Sequence, residues 1–353
     1  MSAADSAQDG PTAAVPSSQT DASSIEHFQL GQSLVPRLFA GLWQLSSPAW
    51  GSASKSKMLG QFQKHVDAGF TAFADMADHY GDAEIVFGQF RSSCRGSKSI
   101  FCATKYCVFQ PITVTEDAMR DAVSQRVEKI KSDKVDLLQF HWQDYDNPQY
   151  IHALKLLQAD ERVSVLGLCN FDTKRMEEIT SAGVDVATNQ VQFSLIDSRP
   201  LYAMAEACKR HNIKLLTYGT LCGGFLSKKW IGKDEPDTFG SDMTPSHRKY
   251  LEMITIWGSW SLFQTLLRTL ATIARKHSVS VSAVAMRWVL DYDFVGAVIV
   301  GARMGVSEHA EENLQVYGWR LDKEDAGMIE EVLSKSRRGE MFRDMGDCGA
   351  EYR

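Results

Sequence analysis

The chain has 353 residues, 44% of them hydrophobic and 23% charged, the make-up of a globular protein able to bury a sizeable core. A net charge of -6 without a basic stripe gives no electrostatic case for nucleic acid, and apolar runs of strand length fall short of the roughly 20 residues of a membrane span. Seven scattered cysteines (94, 102, 107, 169, 208, 222 and 348) lack paired ligand spacing and read as reduced thiols of a cytoplasmic protein with no metal.

Residues 1 to about 26 are rich in Ala, Ser, Gln, Pro and Asp, and the first positive side chain is Arg37. Neither a secretory signal nor a transit peptide has that pattern, so the stretch reads as disordered. The expected division is a polar leader at 1–30, one folded unit at 31–340 and a tail at 341–353.

From Arg37 onward, β-rich runs alternate with amphipathic stretches. Eight runs read as strands: 38–42, 70–75, 100–104, 135–140, 163–168, 186–191, 213–216 and 297–300. Between the first two, Met58, Leu59, Phe62 and Val66 repeat at helical spacing and Gly69 closes the helix. After the third, Thr113 with Glu116 has the pattern of a capping box, and Met119, Val123, Val127 and Ile130 form the buried face. Further helices fall at 172–182 and 201–210. The interval after strand seven is far longer: an irregular segment at 227–246 precedes helical patterns at 261–277 and 280–290.

Eight β/α units predict an α/β fold, a closed (β/α)8 TIM barrel with a long loop after strand 7 and a C-terminal helix. No Gly-x-Gly-x-x-Gly opens a helix after a strand, which argues against a Rossmann site.

In such barrels the working residues sit at the C-terminal ends of strands. Strand two ends in Asp75-Met-Ala-Asp-His-Tyr80-Gly81, strand three in Thr104-Lys105, and strand four in Phe140-His141-Trp142. A lysine ammonium beside a tyrosine stabilises the phenolate, which would make Tyr80 a usable acid. Asp75 can pair with Lys105, and His141 can orient the oxygen that Tyr80 protonates. Asp78 reads as a solvated neighbour. The set suits protonation of an oxygen on which negative charge builds, as in hydride addition to a carbonyl. Trp50, Trp142 and Trp230 lie in rim loops, where aromatic walls would suit an apolar carbonyl substrate.

These motifs resemble those of the aldo/keto reductase family, and the likeness runs from about 37 to 332. The resemblance implies a catalytic set of Asp75, Tyr80, Lys105 and His141, with NADPH extended across the barrel mouth. Gly41-Leu-Trp43 resembles the loop at the nicotinamide end. Asn170 and Gln190 would bind the carboxamide, with Cys169 where the family usually has Ser. Tyr218 would stack on the nicotinamide, and Gly219, Thr220, Leu221 and Gly223 would wrap the pyrophosphate. Gly301, Arg303, Glu312 and Asn313 resemble the adenosine end; the forked guanidinium of Arg303 suits a 2′-phosphate. The implied partners are a small carbonyl compound and NADPH, on a monomer or weak homo-oligomer. An alternative is an NADPH-binding regulatory or structural subunit with little turnover.

Overall fold

In the computed structural model, residues 25–43, 45, 53–94, 100–240, 243–306 and 309–353 are described. A hairpin of β1 (His27–Leu30) and β2 (Ser33–Pro36) precedes eight strands, β3 (Leu38–Gly41), β4 (Ala72–Ala74), β5 (Phe101–Val108), β6 (Leu137–Trp142), β7 (Leu166–Cys169), β8 (Thr188–Gln192), β9 (Lys214–Tyr218) and β10 (Val295–Gly301). The eight close into a parallel barrel in chain order, with β10 paired back to β3. The expected (β/α)8 architecture is therefore present, and all eight sequence-read strands fall on it.

Single helices make the first crossovers: α1 (Lys55–Asp67), α2 (Ala83–Ser93), α3 (Glu116–Lys129), α4 (Gln149–Ala159), α5 (Thr173–Ser181) and α6 (Met204–His211). Three helices fill the interval from β9 to β10: α7 (Pro245–Trp257), α8 (Trp260–His277) and α9 (Val281–Leu290). After the barrel come α10 (Ala310–Leu314), α11 (Lys323–Leu333) and α12 (Arg338–Met345). No helix among the described residues is long and apolar enough to cross a membrane.

Two layers of apolar packing result. Between strands and helices, Phe62, Phe73, Phe87 and Phe90 form one aromatic cluster, with Phe62 and Phe90 stacked at 4.7 Å. Inside the barrel, Phe39, Phe101, Leu137, Leu216 and Ile299 fill the lumen. The β1–β2 hairpin belongs to that inner layer: Leu30 and Val35 are buried with it, and Phe28 lies 6.4 Å from Phe39.

Three local readings are revised. The stretch assigned to a polar leader up to residue 30 contributes β1 from His27 onward. The cap of α3 is Thr115, whose extended backbone lets its hydroxyl accept from the Ala118 N–H, whereas Thr113 lies before the helix. The loop after β9 contains α7, capped by Thr244 with Pro245 at its first turn.

Close approach of α2 to the end of α3 depends on Gly88. A Cβ there would lie 2.1 Å from the Lys129 carbonyl oxygen, a backbone atom that cannot turn aside. Gly88→Ala is expected to destabilise the barrel by about 1–3 kcal/mol in chemical denaturation, despite alanine's better helix propensity. A neutral or stabilising result would contradict this packing.

Candidate active site

Asp75 follows the last residue of β4 with φ +60°, and Asn170 follows β7 with φ +58°. This left-handed conformation costs about 1 kcal/mol or more for most residues and is best tolerated by Asp, Asn and Gly. Both strands thus end in a sharp change of direction that holds a polar residue at the rim.

Lys105 is reached differently. β5 continues past it to Val108 because it pairs residue by residue with β6 up to Val108 and Trp142. Lys105 therefore sits within the strand, 2% exposed, with Nζ 2.5 Å from Asp75 Oδ1 and 4.8 Å from the centre of the Tyr80 ring. Burial alone would lower the ammonium's pKa; Asp75 and Tyr80 outweigh it and hold the value above the ordinary lysine range. Lys105 is thus a fixed positive charge. Burial also pushes the Tyr80 phenol well above its usual pKa, and Lys105 pulls in the opposite direction without overcoming it. The expected lowering of Tyr80 by its lysine exists as a component, but the net direction is upward.

His141 is 2% exposed on β6 and has its pKa pushed down to about 4, chiefly by burial, with Arg353 and Lys105 adding to the effect. Its Nδ1–H donates to the Cys169 carbonyl at 3.0 Å. A neutral ring with its proton on Nδ1 presents a lone pair at Nε2. His141 is thereby matched to a hydroxyl rather than to a bare carbonyl oxygen.

Asp78 is not the solvated neighbour expected from sequence. It receives Arg126 Nη2 at 2.5 Å and the Cys107 N–H at 3.3 Å, and its own N–H donates to the Lys105 carbonyl. Burial raises its pKa, but bonds from His79, Arg126 and Cys107 more than offset this and leave it below the usual carboxylate range. Asp78 ties the turn carrying Tyr80 to β5 and α3.

The residues assigned to the carboxamide lie together. The Tyr218 hydroxyl donates to Asn170 Oδ1 at 3.0 Å. Gln190 Oε1 accepts from Gln139 Nε2 at 2.9 Å and from the Cys169 thiol at 3.3 Å, while Gln190 Nε2 is buried without a hydrogen-bond partner. Burial raises the Cys169 pKa to about 12, so its thiol remains a donor. An orphaned amide donor on Gln190, whose backbone carbonyl accepts the Asn170 N–H, fits the carboxamide oxygen of a nicotinamide.

In the next loop, Gly219 has φ +69°, and a Cβ there would lie 2.3 Å from the Tyr250 hydroxyl of α7. Gly223 also abuts Tyr250, and Leu221 begins the turn between the two glycines. Thr220 is 1% exposed and gives its hydroxyl to the Phe193 carbonyl, so its side chain supports the loop from inside. Where the sequence assigns the adenosine end, Gly301, Ala302, His309 and Asn313 line one small pocket with His65 of α1, which sequence reasoning missed. Glu312 pairs with His309 at 3.5 Å, and Arg303 follows β10, partly buried.

The aromatic assignments divide. Trp43 is 40% exposed at the rim, whereas Trp50 lies outside the described residues. Trp142 is corrected: its ring is 1% exposed and packs behind the rim near Tyr150 and Phe140, with Nε1 donating to the Asp144 carbonyl. Trp230 packs with Phe225, Trp260 and His247 in the loop after β9. Phe109, not singled out from sequence, is 43% exposed with its ring 4.7 Å from His79 and 5.4 Å from His141.

The family model described as Aldo/keto reductase family matches residues 37–334. Aldo-keto reductase YhdN of Bacillus subtilis (strain 168) is 24% identical over 309 residues, which are 85% of this chain and 90% of that protein. The solved glycerol dehydrogenase from Gluconobacter oxydans gives a TM-score of 0.71 at 22% identity, covering 90% of this chain and 97% of the other. An aldo-keto reductase from Klebsiella pneumoniae in complex with NADPH gives 0.66 at 20% identity, covering 89% and 97%.

Two stability measurements test this geometry. Asp78→Ala leaves the Arg126 guanidinium, 1% exposed, without its carboxylate and is expected to cost about 3 kcal/mol in urea unfolding. A loss under about 0.5 kcal/mol would show that the brace is not formed. For His141, the unfolded ring takes up a proton below about pH 6.5 while the folded ring stays neutral to about pH 4. Stability is therefore expected to fall across that window by about 3 kcal/mol from this group alone, and less steeply in His141→Gln.

Proposed function

We propose that this chain, which belongs to the aldo/keto reductase family and is an oxidoreductase, reduces an aldehyde or ketone to the alcohol with NADPH. The observation that carries the reading is the buried Lys105 ammonium, which touches the Asp75 carboxylate and lies beside the Tyr80 ring. When bound, the reduced nicotinamide supplies a hydride to the carbonyl carbon.

The chain's own residues handle the proton. The Tyr80 hydroxyl keeps its proton at neutral pH and releases it to the carbonyl oxygen only as negative charge grows there. Lys105 stabilises the phenolate left behind, and Asp75 holds Lys105 in place, so little reorganisation accompanies the transfer. His141 orients the reacting group through Nε2, which accepts from the alcohol hydroxyl or from a hydroxyl next to the carbonyl. Trp43, Phe109 and His79 offer the apolar and aromatic surface that receives the substrate.

For the cofactor, the ring of Tyr218 would face the nicotinamide while Asn170 and Gln190 bind its carboxamide. Gly219, Leu221 and Gly223 would lie along the pyrophosphate, and Gly301, Asn313 and Glu312 at the adenosine end. Arg303 would take the 2′-phosphate.

Tyr80→Phe is expected to lower kcat with NADPH and a reactive aldehyde by about two to four orders of magnitude while NADPH binding is kept. Lys105→Met is expected to lower kcat as well, and Arg303→Ala to raise the Kd for NADPH far more than that for NADH. Turnover retained in Tyr80→Phe would defeat the proton assignment, and equal effects on both cofactors would defeat the assignment of Arg303.

A further inference from the structure

The segment 347–353, after α12, runs back over the open end of the barrel. Asp347 Oδ2 accepts the Thr173 N–H at 2.7 Å, and Cys348 is buried. Gly349 has φ +84°, and a Cβ on it would lie 2.1 Å from the Asn170 carbonyl oxygen, so the backbone comes as near as glycine permits. The Glu351 carboxylate takes two bonds from Arg199, at 3.0 and 2.9 Å. Tyr352 places its hydroxyl 2.9 Å from that of Tyr218 and 3.2 Å from Lys249 Nζ, with its ring edge-on to His141 at 6.0 Å. The Arg353 guanidinium lies 4.0 Å over the Tyr145 ring and donates to the Asn170 carbonyl at 2.5 Å.

The segment therefore engages Tyr218, Asn170 and His141, residues from three different strand ends that the proposed reaction also uses. We propose that 349–353 is a built-in plug of the nicotinamide end, which must withdraw before NADPH and a carbonyl compound can occupy it. This rests on the reading above that Tyr218 and Asn170 receive the nicotinamide.

The anchoring is of a kind that can be released. Arg199 is 1% exposed, but it is already bound in two-pronged fashion by Asp197 at 2.9 and 2.8 Å, so losing Glu351 does not strand a buried charge. Glu351 and Arg353 themselves return to water, where both are well solvated. Gly346 at φ +78° and Gly349 bracket the turn at which the segment could swing.

The test compares the parent protein with a truncation after Cys348 and with Glu351→Gln, using calorimetric titration and stopped-flow binding of NADPH. A plug docked nine-tenths of the time raises the apparent Kd about tenfold, so the truncation is expected to bind NADPH about tenfold tighter and to associate faster. Glu351→Gln should move in the same direction by a smaller factor, which keeps the proposal testable if the truncated chain does not fold. In the parent, hydrogen exchange at residues 350–353 should quicken when NADPH is added.

Unchanged or weaker NADPH binding in Glu351→Gln, together with slower exchange at 350–353 in the complex, would overturn the plug and make the segment part of the cofactor site. Failure of the plug alone would leave normal NADPH binding and carbonyl turnover in the parent. Failure of the underlying reading would show as no NADPH binding in any of the proteins, and would remove the plug with it.

Discussion

A lysine ammonium that is 2% exposed cannot be tolerated without a nearby anion, and the rim is arranged around that requirement. Asp75 meets it from the neighbouring strand, at the cost of a left-handed backbone. The long pairing of β5 with β6 holds Lys105 within a strand, so the ammonium has little freedom to follow solvent. Once charge and carboxylate are locked together, the Tyr80 phenol beside them lies in a field prepared for a phenolate although it remains protonated. Such preorganisation is what makes a group of high pKa serviceable as an acid: the stabilising charge is in place before the proton moves.

That arrangement depends in turn on a second ion pair, one that does no chemistry. Asp78 to Arg126 joins the turn carrying Tyr80 to α3, and the Cys107 N–H joins the same carboxylate to β5. Two carboxylates three residues apart thus have different duties. Asp75 compensates the buried Lys105 charge; Asp78 holds the turn in register with the strand that carries that charge.

The barrel was legible in the sequence because its signal is periodic and repeated eight times, and because Asp75, Tyr80, Lys105 and His141 lie on or just after three successive strands. Other features were hidden for physical reasons. The β1–β2 hairpin is two strands of four residues, and Phe28, Leu30 and Val35 stand out only once the barrel floor they cover is known. Thr113 and Thr115 both offer a hydroxyl ahead of the same helix, and backbone geometry decides between them. The net direction of the Tyr80 pKa follows from burial, which the motif does not encode. Trp142 adjoins His141 in sequence, yet alternation along β6 turns its ring behind the rim. Phe109 carried no motif and became visible only as a ring beside His79 and His141.

The path of the segment after α12 bears on the electrostatics of the centre itself. Arg353 contributes to the depression of the His141 pKa, and the Tyr352 hydroxyl adds to the rise at Tyr218 after burial. Withdrawing the segment would remove a positive charge from the vicinity of His141 and admit solvent to a ring now 2% exposed. Both changes favour the imidazolium, so the pKa of His141 should rise toward its ordinary value when the mouth opens. Access to the centre and the protonation behaviour of its histidine are therefore coupled through the same few residues, with no change needed in the barrel beneath.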